Sequence, residues 1–383
     1  MGLPKMTLDH VLKPIGQSHG LPNAHYTDES VFNEERQSLF FKEWAAVGFA
    51  SDVPEEADAV PVDFLGMPLL LVRDRDDIVR VFQNTCRHRG MILVDEPKKV
   101  RGVIRCPYHS WCYSLDGKLK TTPHVGGPGQ NLHEDVNRDE LGLYEVRSHL
   151  WQGIVFVNVS GDASAFEDHA ASLLDRWSEF EHPVWYSGSD SAFELDVQSN
   201  WKLAIENYCE SYHLPWIHPG LNSYSRLEDH YNILQTDEFS GQGTMVYNPS
   251  LEDNGKTFSN FPDLNKKWDS VAEYIALFPN VLLGVHRDHR FAILILPQGP
   301  ERSLERIAIT YASEAMMGED YADLRKRNTE QWHEIFAEDI EVVEGMQKGR
   351  HGPMFDGGKF SPVMDESTWC FHQWAATRMN NAA

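Results

Sequence analysis

Two cysteine–histidine pairs constrain this chain more than any other feature. They are Cys86-Arg-His88 and Cys106-Pro-Tyr-His109, and each follows a β-rich run, IVRVFQN and GVIRC. A hairpin loop is expected after each run, so two loops can present one thiol and one imidazole each, tip to tip. The pairs could be unrelated, could hold a structural zinc, or could hold a [2Fe–2S] cluster. Zinc sites ordinarily draw on Cys-Cys and His-His pairs of close spacing. Mixed pairs better suit a cluster in which two Cys hold one iron and two His the other, each loop serving both irons. The expected cofactor-binding residues are therefore Cys86, His88, Cys106 and His109.

A second constellation follows in NWKLAIENYCESYHLPWIHPG, residues 200–220. Asn200 is a natural N-cap for a helix. On that helix Glu206, Glu210 and His213, spaced i, i+4, i+7, would share one face. His213 and His218 would point apart on an unbroken helix, but Pro215 and Pro219 make an unbroken helix improbable. A break after Leu214 would swing His218 back toward His213. Alternatively, this is a helix end with two histidines near its carbonyls.

A third ligand comes from a long helix predicted over 319–348. Trp332, Ile335, Phe336, Val342, Val343 and Met346 form its apolar stripe, with Asp339 inside it; Glu334, Glu338, Glu341 and Glu344 fall away. A carboxylate on a buried face must be protonated, paired or metal-bound. An arginine partner is one reading of Asp339. With two histidines already in hand, the metal reading is the stronger. His213, His218 and Asp339 would then form the two-His, one-carboxylate triad of non-haem Fe(II) oxygenases. A zinc hydrolase at the same triad is a rival. A pure electron carrier would need only the first constellation.

The residues carry a family resemblance over about 25–375. CRH…CPYHSWCYSLDG resembles the Rieske motif of ring-hydroxylating oxygenases. NWKLAIENYCESYH…H with the late EDIEVVEGMQKG is similar to the catalytic domain of their large subunits. The resemblance implies a Rieske [2Fe–2S] cluster, a mononuclear Fe(II) held by His213, His218 and Asp339, and O2 as co-substrate. It also implies a head-to-tail homotrimer, in which Glu210 links the iron of one subunit to the cluster of the next. Asn207 would lie near the iron without binding it. Two positions depart from the pattern. Ser110 stands where members often have Gly or Ala, and Cys112 is extra and expected to be a small buried hydrophobe. Glu210 replaces the Asp of most dioxygenases, as in the subgroup similar to carnitine and glycine-betaine monooxygenases.

The implied fold is α+β. An N-terminal helical segment (1–44) packs on the catalytic domain, a small all-β Rieske domain spans 45–160, and a larger domain (161–383) has an antiparallel sheet flanked by helices. Within it, 164–180 reads as one amphipathic helix, strands are expected at 192–197 and across 270–312, and 250–268 reads as a loop. No Gly-x-Gly-x-x-Gly and no plant-type four-cysteine pattern occurs, so a separate NAD(P)H-dependent reductase, of flavin or ferredoxin type, is the expected partner. The preferred activity is oxidative N-demethylation of a small betaine-like quaternary ammonium compound. An aromatic cage for it could draw on Tyr208, Tyr212, Trp216, Tyr231 or Phe278. The alternative is hydroxylation of an aromatic carboxylate, with Arg287 or Arg290 as counter-ion.

Composition narrows the partners. Lys+Arg number 34 against 58 Asp+Glu, a formal net charge of −24. So acidic a chain repels phosphate backbones and anionic membranes, and no nucleic acid or membrane partner is expected. Five cysteines in 383 residues do not make a disulfide scaffold. The opening MGLPKMTLDH has no apolar core of a signal peptide, and a cytoplasmic protein is expected.

Overall fold

The computed structural model describes residues 8–381, apart from 236, 250 and 252–254. Contacts divide the chain into two compact units. One is Ala46–Asp162, and the other joins the residues before Ala46 to those from Ala163 onward. No helix among the described residues is long and apolar enough to cross a membrane.

The smaller unit is built from short antiparallel strands. Asp58–Phe64, Met67–Arg73, Val79–Gln83 and the short Lys98–Lys99 form one sheet. Ile104–Arg105, Cys112–Tyr113 and Leu119–Thr121 form another. Phe82, Trp111, Tyr113, Leu115 and Leu119 share one buried cluster with Cys86 and Cys106. The thiols are therefore presented from the core rather than from floppy loop tips. The Asp116-Gly117 turn closes with Gly117 N–H donating to Ser114 C=O at 2.9 Å.

The larger unit is a seven-stranded antiparallel sheet. In spatial order its strands are Ala192–Val197, Arg302–Tyr311, His289–Gly299, Val281–Val285, Ala272–Leu277, Phe239–Thr244 and His230–Gln235. The last two were not expected: the interior of FSGQGT is Ser-Gly-Gln-Gly, without the β-branched and aromatic residues that mark a strand. Its glycines are there for space. A Cβ on Gly241 would fall 2.1 Å from the carbonyl oxygen of Tyr274. Three helices cover the sheet: Trp201–Tyr208, Ala322–Gly349 and Glu366–Asn381. Part of the expected loop at 250–268 lies outside the described residues; the rest is irregular up to a turn at Lys266–Asp269.

The helix expected over 164–180 is broken. Phe166–His169 and Ala171–Arg176 are separated at Ala170, and Ser178–Phe180 is a 3-10 turn. The breaks let successive side chains reach one buried acid. Glu273 accepts from Arg176 Nε at 2.8 Å and from Trp177 Nε1 at 2.7 Å.

Helix Trp201–Tyr208 is anchored by buried charge. Lys202 is fully buried and its Nζ donates to Glu35 at 2.7 Å; Trp201 Nε1 donates to the same oxygen at 3.2 Å. His25 Nδ1 lies 3.1 Å from the other Glu35 oxygen. One turn on, Glu206 meets Tyr26, Arg350 and His372. Burial would push the Glu206 carboxyl up, but His372 and Arg350 outweigh it and hold it ionised. The N-terminal segment and the two C-terminal helices thus converge on the helix that precedes the candidate site. Removing one member of a buried pair leaves an uncompensated charge. Lys202→Ala is expected to cost about 3–5 kcal/mol of stability, read by denaturant unfolding. A change below about 1 kcal/mol would remove the anchoring role.

Candidate metal centres

In the smaller unit the two Cys-His loops repeat each other bond for bond. Cys86 N–H donates to Met91 C=O at 2.8 Å, and Cys106 N–H to Trp111 C=O at 2.8 Å. Gly90 N–H returns to Cys86 C=O at 2.9 Å, and Ser110 N–H to Cys106 C=O at 3.0 Å. The fourth loop position is left-handed in both, with φ +71° at Gly90 and +59° at Ser110. This explains why glycine suits that position, and why serine there is strained.

The loops bring like with like. The rings of His88 and His109 stand 4.8 Å apart, and His88 stacks on Trp111. Burial pushes the Cys86 thiol up, and the neighbouring Cys106 adds to this while Tyr113 opposes it. Arg87 N–H donates to the Tyr113 hydroxyl oxygen, which leaves its proton for Cys86 Sγ at 3.3 Å. Burial, with His109 and Arg89 nearby, lowers the His88 pKa, which keeps a neutral ring with a free lone pair. His109 Nδ1 is buried without a hydrogen-bond partner. Two facing thiols, two facing rings and one orphaned ring nitrogen fit a cluster with a thiolate end and an imidazole end. Cys112 is buried and its thiol donates to Ser110 C=O at 3.2 Å.

In the larger unit the helix does not run on to His213 as the sequence suggested. It ends at Tyr208 and the chain turns through Cys209–Ser211. Glu210 therefore leaves the helix face that it was expected to share with Glu206. Its carboxylate instead accepts the backbone N–H groups of Tyr212 and His213, capping the next turn. Two single turns follow, Leu214–Ile217 and Pro219–Asn222, each with proline in its first turn and a histidine at its N-cap. The prolines set these starts because a missing N–H costs nothing there. His213 and His218 thus occupy equivalent corners of a twice-broken helix, with rings 5.1 Å apart and inclined at 70°.

Asp339 faces them from the long helix. Its Oδ1 lies 3.0 Å from His218 Nε2 and 3.7 Å from His213 Nε2, and the ligand atoms of the three residues all fall within 4.8 Å of one another. A carboxylate fixes each ring from behind. Glu210 Oε1 accepts from His213 Nδ1 at 2.7 Å, and Glu338 Oε2 from His218 Nδ1 at 2.6 Å. With the proton held on Nδ1, both Nε2 lone pairs point at the common centre. Burial opposes protonation of His218, but Asp339 and Glu338 outweigh it and raise its pKa. A cation placed between these groups would replace that proton. The donor set of two imidazoles and one carboxylate fits Fe(II) with open positions.

Glu338 corrects the sequence reading, which sent it away from the site with the other glutamates. Its neighbour Asp339 was the available signal, since a carboxylate adjacent to a ligand can reach the ring of another ligand. Glu210 is held in turn. Gln242 Nε2 donates to Glu210 C=O at 3.0 Å, and His230 Nδ1 lies 2.6 Å from Gln242 Oε1.

A cavity opens beside the triad, walled by Tyr208, Tyr274, Phe291, Trp332 and Phe336. Asn207 is buried and lines it. Of the aromatic candidates, only Tyr208 is at this wall. Tyr212 and Trp216 are exposed, Tyr231 donates to Glu273, and Phe278 packs on Phe371 and Trp374. The two arginine candidates also sit elsewhere: Arg287 donates to Asp269 C=O and Arg290 to Phe180 C=O.

Two family models match the chain. The model for the ring hydroxylating alpha subunit (catalytic domain) matches residues 186–381, and that for the Rieske [2Fe-2S] domain matches 43–137. The chain is 28% identical to the carnitine monooxygenase oxygenase subunit of Escherichia coli (strain K12), over 86% of this chain and 83% of that protein. It is 26% identical to the glycine betaine monooxygenase oxygenase subunit of Chromohalobacter salexigens, over 94% and 86%. The crystal structure of the quaternary ammonium Rieske monooxygenase CntA with L-carnitine superposes with a TM-score of 0.76 at 22% identity, over 98% of this chain and 99% of that one, a shared fold.

Two outcomes are expected from these geometries. Ser110→Gly relieves a left-handed serine and should stabilise the protein by about 1 kcal/mol; a lower melting temperature would contradict the strain argument. Glu338→Ala should weaken Fe(II) binding about 10–100-fold, measured by iron retention against a chelator, with the visible absorbance of the cluster unchanged. Unaltered iron retention would show that the second carboxylate is dispensable.

Proposed function

The chain belongs to the ring-hydroxylating alpha-subunit family, and from that premise we propose that it is the terminal oxygenase of a quaternary ammonium monooxygenase. It is an oxidoreductase whose cofactors are a Rieske [2Fe–2S] cluster and non-haem Fe(II). Cys86, His88, Cys106 and His109 would hold the cluster within 45–160. His213, His218 and Asp339 would hold the iron within 161–383, on which the N-terminal segment, described from residue 8, would pack.

When bound, the cluster supplies single electrons and the iron supplies O2 reduction and attack on a C–H bond. The chain's own residues do the rest. Glu210 and Glu338 hold protons on the two Nδ1 atoms. Glu210, touching His213 and only 14% exposed, is the link through which electrons would come from a neighbouring subunit of a homotrimer. Asn207 borders the reacting space without a ligand's position. The aromatic wall carries the substrate assignment. Its rings present negative faces to a cation and exclude water, as a quaternary ammonium group requires. An aromatic carboxylate would need a cation at the cavity, and the lining contains no Lys or Arg.

The proposed reaction inserts one oxygen atom into an N-methyl C–H bond. O2, two electrons and two protons yield the N-hydroxymethyl compound and water. The N-hydroxymethyl ammonium then releases formaldehyde and a proton, leaving the tertiary amine. The electrons originate in NAD(P)H and arrive through a separate flavin or ferredoxin-type reductase, in the cytoplasm.

O2 uptake with a generic reductase tests this reading across betaines and aromatic acids. Betaines should stimulate uptake with matching formaldehyde release; stimulation by aromatic acids alone would overturn the substrate class. In the same assay His213→Ala should abolish turnover while the cluster absorbance persists. Glu210→Gln should lower coupled turnover by about 10-fold or more, as for groups that act as a unit, with both metals retained. Full activity in Glu210→Gln would remove the electron link.

A further inference from the structure

A second cavity adjoins the first and shares Asn207, Tyr208, Phe336 and Asp339 with it. Its far wall is apolar, from Leu282, Ile293 and Val343, with one exception, Glu305. Strand Arg302–Tyr311 alternates, and Ser303, Glu305, Ile307 and Ile309 fall on its buried face. The cross-strand neighbours of Glu305 are Leu195 and Ile295, both buried and apolar. The side chain is only 9% exposed, yet it has no hydrogen-bond or ion-pair partner among the described residues. Every other buried carboxylate described above is satisfied: Glu35 by Lys202, Glu206 by Arg350 and Tyr26, Glu273 by Arg176 and Trp177. A carboxylate left unpaired in an apolar cavity is costly, and no residue of the lining is a cation.

We propose that Glu305 is the counter-ion of the substrate's cationic nitrogen, which it would hold against the rings of Tyr208 and Phe336 next to Asp339. The proposal rests on the quaternary ammonium reading above and adds to it a specificity-determining residue. A cation in this cavity would supply the missing charge partner between two aromatic residues of the lining.

The test uses the holoenzyme, with Glu305→Gln and Glu305→Met as variants. Calorimetric titration compares choline and glycine betaine with their carbon isosteres, in which a quaternary carbon replaces the quaternary nitrogen. The wild type should prefer the cations by about 10-fold or more, and both variants should lose that preference while binding the isosteres as before. Glu305→Met should also raise the melting temperature, because it removes an unpaired buried acid. If the wild type prefers the cations and the variants do so equally, the counter-ion role is overturned and the substrate reading stands. If the wild type shows no preference for the cations, the substrate reading falls and the proposal with it. A lower melting temperature in both variants, with binding of cations and isosteres weakened alike, would mark Glu305 as a structural acid and overturn the proposal.

Discussion

Asp339 lies on the face of the long helix that packs toward the sheet, between the buried Phe336 and Val343. A carboxylate there is disfavoured unless a positive partner compensates it, and the surrounding architecture is arranged to bring one. Opposite it, the chain gives up regular helix twice within a dozen residues so that two imidazole edges can face the same point. Those breaks have a cost in backbone hydrogen bonding, which the Glu210 cap and the proline starts limit. The cost is tolerable because the preceding helix is pinned from beneath by Lys202 and Glu206, whose partners come from both ends of the chain.

Much of this was legible before any coordinates. The two Cys-His pairs, the His213/His218 pair and the misplaced acid on an apolar stripe each violate the local pattern around them. Functional residues tend to show in this way, since a sequence otherwise satisfies local and global demands together. The antiparallel strands from 272 to 311 were visible in their apolar runs, and Asn200 caps its helix by accepting from Lys202 N–H at 3.1 Å.

What stayed hidden depended on partners distant in sequence. The strand Phe239–Thr244 is chosen by close approach of its neighbours rather than by its own propensity. The break after Arg176 answers to Glu273, about a hundred residues away. Glu338 looked like one more solvated glutamate, because nothing local says that His218 stands opposite it. The aromatic wall is likewise assembled from strands and helices far apart in the chain. Of the aromatic residues near the histidines in sequence, Tyr208 lies at the cavity, while Tyr212 and Trp216 are exposed.

Glu338 and Asp339 are consecutive residues of one continuous helix. One steers the His218 ring and the other meets its far edge, so the imidazole is clasped from both sides by a single rod. Sliding or rotating that rod cannot change the acid's reach without also turning the ring. Phe336 and Trp332, which wall the cavity, are carried on the same rod about one and two turns upstream. Whatever presses on those rings loads the clasp directly, and occupancy of the cavity and the shape of the centre become a single mechanical variable.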